Sequence, residues 1–480
     1  MKTRVFFRKA VLFVLICLIA MGVIMGTLGN IDHKSYLAAF VLSALLATLV
    51  IAVGKRKRKV FSCLDRLSPG SVCLVLSVFC LLINGSWVMA FHPVQAADYK
   101  TFFQTAVDLA NGIHPTGKDY VAMFPHILGY SAFLSIFLRV FGQSVLVASV
   151  VNVVLTTGTG VSLYVLSLKW TGNKTMATAV FLLWIVCPSK LLYNAMTLSE
   201  PYYTFLFMVF YLLVSTAFDG KGVGTMAVVI SGMITGIILA LINSARPIGI
   251  IPIIAFVIWY FLLIDHRCLG KERMEAGGLF LLALLLCYIC TGRVWNSYAA
   301  EQLEQEPPSI PGYSVYVGFN PRTQGSYADE DMDLLQSRYF GEYDRNAQLT
   351  QKSMLNSART RIFEYKKSIP SLMVHKLATL LGHDEGGAFY SKESLTEKQY
   401  SLCCIASNVW YYFVCILAVF GCVAEWTRNQ RSSILLVPLC IIGVILAQLM
   451  VEVAARYHYC LIPMLLLLIN PVFGEKDEER

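Results

Sequence analysis

Charge is scarce in this chain of 480 residues: Asp, Glu, Lys and Arg make up 14%, against about a quarter in soluble domains. With 56% of residues hydrophobic, the sequence excludes an ordinary soluble enzyme and reads as a polytopic membrane protein. Nucleotide-driven chemistry has no support either. There is no glycine-rich phosphate loop, no GxGxxG between a strand and a helix, no HExxH, and no GxSxG at a strand-to-helix turn. Of the fourteen cysteines nearly all lie in or beside apolar runs, and 293–400 has none, which argues against a disulfide framework or a thiolate metal site. Internal repeats and low-complexity segments are absent.

What is present is a succession of apolar runs long enough to cross about 30 Å of hydrocarbon. Twelve candidate spans fall at about 10–28, 36–53, 72–91, 144–168, 175–191, 201–218, 225–243, 248–264, 276–292, 402–424, 433–451 and 457–473. The first lacks a small-x-small cleavage site and reads as a retained anchor.

A further apolar run, 126–142, decides the topology. With Lys2, Arg4, Arg8 and Lys9 cytoplasmic, the loop Lys55 to Lys59 is cytoplasmic too. Lys169, Lys174, Lys221, Arg267, Lys271, Arg273, Arg428, Arg431 and the Lys476 to Arg480 tail join that side only if 126–142 does not cross. The run is therefore expected to be a re-entrant or interfacial helix. The net charge of +9 sits mostly in these loops, so nucleic acid is not an expected partner.

The expected fold is all-α and polytopic, with about twelve transmembrane helices plus the interfacial one. Residues 1–60 supply two N-terminal helices, and 72–292 a transmembrane core with an outer loop at 92–125. Residues 293–400 form a mixed outer-face region, in which Pro307-Pro308, Pro311-Gly312 and Asn320-Pro321 read as loop and about 331–379 as amphipathic helix. Residues 401–480 supply the C-terminal helices.

On this parity Asp98, Glu200, Arg246 and the stretch from Glu452 to His458 all face the outer side. Asp98 follows a span and precedes the helical stripe Phe102, Phe103, Ala106 and Leu109, which would lay its helix along the membrane surface. An arbitrary loop aspartate is more often a solvated surface acid. Glu200, just before Pro201, is as readily a helix N-terminal acid as a substrate-positioning one. Arg246 and Arg456 could snorkel to lipid headgroups, yet basic residues are rare on this side, so these two, with His458 and Lys376, are candidates to meet an anion. His114 and Tyr99 belong to the same polar loop as Asp98.

Taken in order, Asp98-Tyr99…Ala106…Leu109…Gly112, then Pro125 to Gly142, Pro188…Glu200, Ala245-Arg246-Pro247-x-Gly249 and Arg456-Tyr457-His458-Tyr459…Ile462-Pro463 resemble the GT-C glycosyltransferases, family 39-like, related to protein O-mannosyltransferases and aminoarabinose transferases. The resemblance covers about 72–473.

It implies an inverting enzyme of the cytoplasmic (plasma) membrane that works on the extracytoplasmic face. Such an enzyme takes a hexose, mannose or another sugar, from a polyprenyl-phosphate donor to a glycan, lipid or protein acceptor of the cell envelope. In that picture Asp98 is the catalytic base, its pKa raised by burial, and Glu200 orients hydroxyls. Arg246, Arg456 and His458 stabilise the departing phosphate, and Tyr99, His114 and Lys376 contact substrate. No cofactor is required, although a divalent metal is compatible with the acids and histidines. The family often pairs two acids where this chain has Asp98-Tyr99, which disfavours protein as the acceptor. The competing readings are a transporter or flippase of lipid-linked sugars and an O-antigen polymerase or ligase.

Overall fold

The structure is a computed structural model that describes residues 2–29, 33–56, 66–219, 223–264, 266–427 and 433–473. Several basic residues used for topology (Lys57 to Lys59, Lys221, Arg428, Arg431 and Lys476 to Arg480) lie outside the described residues.

The chain is helical throughout, with no strand among the described residues. α1 (Lys2–Gly29), α2 (His33–Arg56) and α3 (Pro69–Ala90) lead into α4 (Ala97–Ala110), α5 (Lys118–Met123) and α6 (His126–Phe141). α7 (Val145–Thr171), α8 (Lys174–Ile185), α9 (Pro188–Asn194), α10 (Glu200–Asp219), α11 (Thr225–Ala245), α12 (Ile250–Ile258) and α13 (His266–Leu303) follow. The next region holds α14 (Gly312–Gly318), α15 (Asp329–Ser337), α16 (Ala347–Glu364), α17 (Ile369–Leu381) and α18 (Gly386–Tyr390). The chain ends with α19 (Glu397–Thr427), α20 (Leu436–Met450), α21 (Leu461–Leu468) and α22 (Asn470–Phe473).

Among the described residues eight helices are long and apolar enough to span a bilayer: α1, α2, α3, α7, α10, α11, α13 and α19. The expected span at 175–191 is instead a bent pair, α8 and α9, meeting at 57°. Cys187 is extended there because the residue before a proline is pushed out of helical geometry. The remaining three expected spans appear as shorter apolar helices at 250–263, 436–450 and 461–472.

α6 has 16 residues, about 24 Å of helix, short of the hydrocarbon thickness. It lies beside α4 instead: Ser131 donates to the Phe102 carbonyl at 2.9 Å. Arg139 donates to the Ala110 and Leu109 carbonyls at 3.0 Å each, closing the C-terminal end of α4. α4 buries Phe102, Ala106 and Leu109, the stripe expected from the sequence.

α11 and α13 approach closely because glycines face carbonyls. A Cβ at Gly232 would lie 2.5 Å from the Phe280 oxygen, and one at Gly236 2.3 Å from that of Leu284. The two N-terminal helices pack onto the rest in the same manner, α2 against α19 and α1 against α17. A Cβ at Gly26 would meet Gly382 at 2.3 Å. Between α13 and α19 a small separate core forms around Tyr313, Val317, Leu335, Tyr339 and Met354, joined by Ala122 and Met123 of α5.

Candidate functional site

α4 opens at Ala97, whose φ of 46° is left-handed, a conformation that costs a residue with a Cβ about 1–3 kcal/mol. It is followed at once by Asp98, in the first turn, where the helix dipole favours an anion. The Arg456 guanidinium donates from Nη2 to the Asp98 carboxylate. Arg456 stands on the turn Ala455–His458, between α20 and α21.

Glu200 begins α10 and is fully buried, whereas the Asp98 side chain keeps 30% of its surface. Glu200 Oε1 accepts from Arg246 Nη2 at 3.1 Å and lies 3.9 Å from Arg456 Nε. Tyr457 presents its ring to both guanidiniums, 4.5 Å from Arg246 and 5.5 Å from Arg456. Tyr390 covers Arg456 at 5.1 Å, and Tyr99 meets Tyr390 edge-on at 5.6 Å. Four expected residues, Asp98, Glu200, Arg246 and Arg456, thus share one cluster, with Tyr99 behind it. Two of its polar atoms are buried without a hydrogen-bond partner, Arg456 Nε and Glu200 Oε2.

The expected rise in the Asp98 pKa is corrected. Burial does push it up, but the charge and hydrogen bond of Arg456, helped by His126 and Arg246, outweigh burial and hold the carboxyl below its usual range. Asp98 is therefore ionised and weakly basic.

Three other expected residues do not join the cluster. His114 lies past the far end of α4, roughly 20 Å of helix from Asp98, with its ring against the Gln302 carbonyl at 3.3 Å. Lys376 is fully buried and donates to three carbonyls, Gly318 at 2.9 Å, Leu449 at 2.7 Å and Val451 at 2.5 Å, which uses all three of its N–H groups. Desolvation pushes its pKa down to about 7. His458 is buried with Nε2 3.1 Å from Asp384, which also accepts from Ser189 at 2.5 Å. Both anchor backbone that carries the cluster. Lys190 is fully buried in α9, donating to Asn84 at 2.9 Å.

Sequence reasoning put Glu452 on the outer side without giving it a role, and passed over His126 and Tyr390. Only Glu452 left a signal, as a lone acid following the long apolar run that ends at Val451. Among the described residues no three His, Cys, Asp or Glu side chains are grouped to hold a metal ion.

Fold and cluster together define an all-helical integral membrane protein with a buried charged site where several of its helices end. No protein-family model matches the sequence, and no curated protein is similar to it. Two solved structures, both of the GT-C fold, are similar. One is ArnT from Cupriavidus metallidurans bound to undecaprenyl phosphate, at 12% identity and a TM-score of 0.35, covering 85% of this chain and 78% of that one. The other is the archaeal oligosaccharyltransferase AglB from Archaeoglobus fulgidus in complex with an inhibitory peptide and a dolichol-phosphate. It has 11% identity and a TM-score of 0.37, and the match covers 85% of this chain and 56% of that one.

Proposed function

We propose that the chain is a GT-C-type glycosyltransferase that moves a sugar from a polyprenyl-phosphate donor to a cell-envelope acceptor at the Asp98–Glu200–Arg246–Arg456 cluster. The observation that carries this reading is the paired guanidiniums, held by carboxylates and tyrosines at the ends of apolar helices, with Arg456 Nε buried and without a hydrogen-bond partner. Arginine matches a phosphate geometrically, and a lipid-linked phosphate would approach from the bilayer on which these helices border.

In the reaction an acceptor hydroxyl oxygen bonds to the anomeric carbon from the face opposite the phosphate. The bond from that carbon to the phosphate oxygen breaks, and its electron pair leaves on the phosphate, so the configuration inverts. The phosphate needs no protonation, because Arg456 and Arg246 stabilise its charge. Glu200 fixes both guanidiniums from beneath. Asp98, ionised and partly exposed, faces the reacting sugar, where its negative charge favours the developing oxocarbenium character. A metal is not called for in this scheme, since the arginines already meet the phosphate, and chelation with EDTA is expected to leave the rate unchanged.

The basic-loop pattern supports a site on the extracytoplasmic face of the cytoplasmic membrane. The test is a panel of polyprenyl-phosphate sugars offered to the purified protein in vesicles. Transfer from at least one donor, lost in Arg456→Ala, is expected. Flipping of a labelled lipid-linked sugar without transfer would favour a transporter instead.

A further inference from the structure

The transfer proposed above releases one proton from the acceptor hydroxyl, and Asp98, tied to Arg456, is poorly suited to take it. A second carboxylate, four residues before Arg456 in the chain, feels the charges of both Arg456 and Asp98. Glu452 follows α20 on a strap whose backbone is pinned from three directions. Its own N–H donates to the Ser314 carbonyl at 2.7 Å, and the next N–H, of Val453, donates to Gly325 at 2.9 Å. Lys376 holds the Leu449 and Val451 carbonyls. Gly318 packs so closely that a Cβ there would lie 2.4 Å from the Val451 carbonyl carbon.

The side chain is treated differently from the backbone. The Glu452 carboxylate is partly buried and makes no hydrogen bond among the described residues. Lys376, a cation that acts on it, has spent its three N–H groups on carbonyls. The charged groups facing Glu452 are Arg456 from the 455–458 turn, Asp98 from α4, Arg246 from the end of α11 and Lys376 from α17. The phenols facing it are Tyr120 of α5, Tyr313 of α14, Tyr327 of the following loop, Tyr390 of α18 and Tyr457 beside Arg456.

The two carboxylates are pushed apart. Arg456 holds Asp98 down, whereas burial, reinforced by the Asp98 charge, raises Glu452 above the ordinary glutamate range despite the opposing arginines and lysine. Two acids so divided have separate tasks, the more basic one suiting proton transfer near neutral pH.

We propose that Glu452 is the general base of the transfer, its carboxylate taking the acceptor hydroxyl proton as the acceptor oxygen bonds to the anomeric carbon and the phosphate leaves with the bonding pair. This rests on the transferase reading. The test compares Glu452→Gln, Glu452→Asp and Asp98→Asn with the wild type, full-length and in vesicles. Three readouts are taken: binding of labelled polyprenyl phosphate alone, kcat across pH, and the carboxyl C=O infrared band.

Glu452→Gln is expected to bind polyprenyl phosphate within about twofold of the wild type while kcat falls about 10²–10⁴-fold. Its residual rate should lack the acid limb that the wild type shows above the ordinary glutamate range, and Glu452→Asp should recover part of the loss. The wild-type infrared band titrating in that range should vanish in Glu452→Gln and persist in Asp98→Asn. The infrared readout needs no turnover. A kcat within threefold of wild type, an unchanged acid limb, or a titrating band that persists in Glu452→Gln overturns the base assignment alone. A wild type that transfers no sugar from any donor overturns the transferase reading, and this assignment with it.

Discussion

Arg456 is the residue on which the site turns, because it touches both acids and both rings of the cluster. Replacing it with lysine keeps the charge but loses the flat fork that reaches Asp98 and Glu200 together. Transfer is expected to fall at least tenfold in Arg456→Lys, measured as kcat/KM for the polyprenyl-phosphate donor. Arg246→Met strips fully buried Glu200 of its closest cation, which should cost about 3–5 kcal/mol, read as a lower thermal midpoint in detergent. Glu452 predicts the opposite sign. Its folded pKa is raised, so the stability it contributes is present below the unfolded glutamate value and is lost as pH rises through the folded value. Glu452→Gln should therefore melt higher than wild type at pH 8, with the gain vanishing below about pH 4. A residue that weakens the fold at working pH yet is pinned by its backbone is placed for chemistry.

At the scale of elements, the sequence made the α4 stripe and the four cluster residues legible, since apolar periodicity and the parity of spans need no coordinates. Parity put Asp98, Glu200, Arg246 and Arg456 on one side, and the structure brings them within contact. The Asp98 pKa was not legible, because its controlling partner lies 358 residues away. Lys376 and His458 were overvalued for the same reason: carbonyls at 318, 449 and 451, and the carboxylate of Asp384, occupy them. The bend at Cys187-Pro188 was marked by the proline, but the burial of Lys190 against Asn84 was not. Close helix contact is testable directly. Gly236→Leu would drive α11 from α13, since even a Cβ meets the Leu284 oxygen at 2.3 Å, and should destabilise the protein by about 1–3 kcal/mol or more.

For the whole molecule, the sidedness of the site depends on α6 not crossing. Phe141 ends α6 and Lys169 lies near the far end of α7, whose 27 residues cover about 40 Å. Single cysteines at these positions in a cysteine-free background should label from the outside at 141 and from the inside at 169. α1 and α2 are part of this body, packed on α17 and α19, and α17 carries the lysine that pins the Glu452 strap. The central claim remains that the paired arginines hold a lipid-linked sugar phosphate for transfer. Its most direct test is single-turnover sugar transfer from a labelled polyprenyl-phosphate sugar in vesicles, wild type against Arg456→Ala. Transfer by the wild type with a loss of about a hundredfold or more in the variant is predicted. Equal rates in the two proteins would contradict the account.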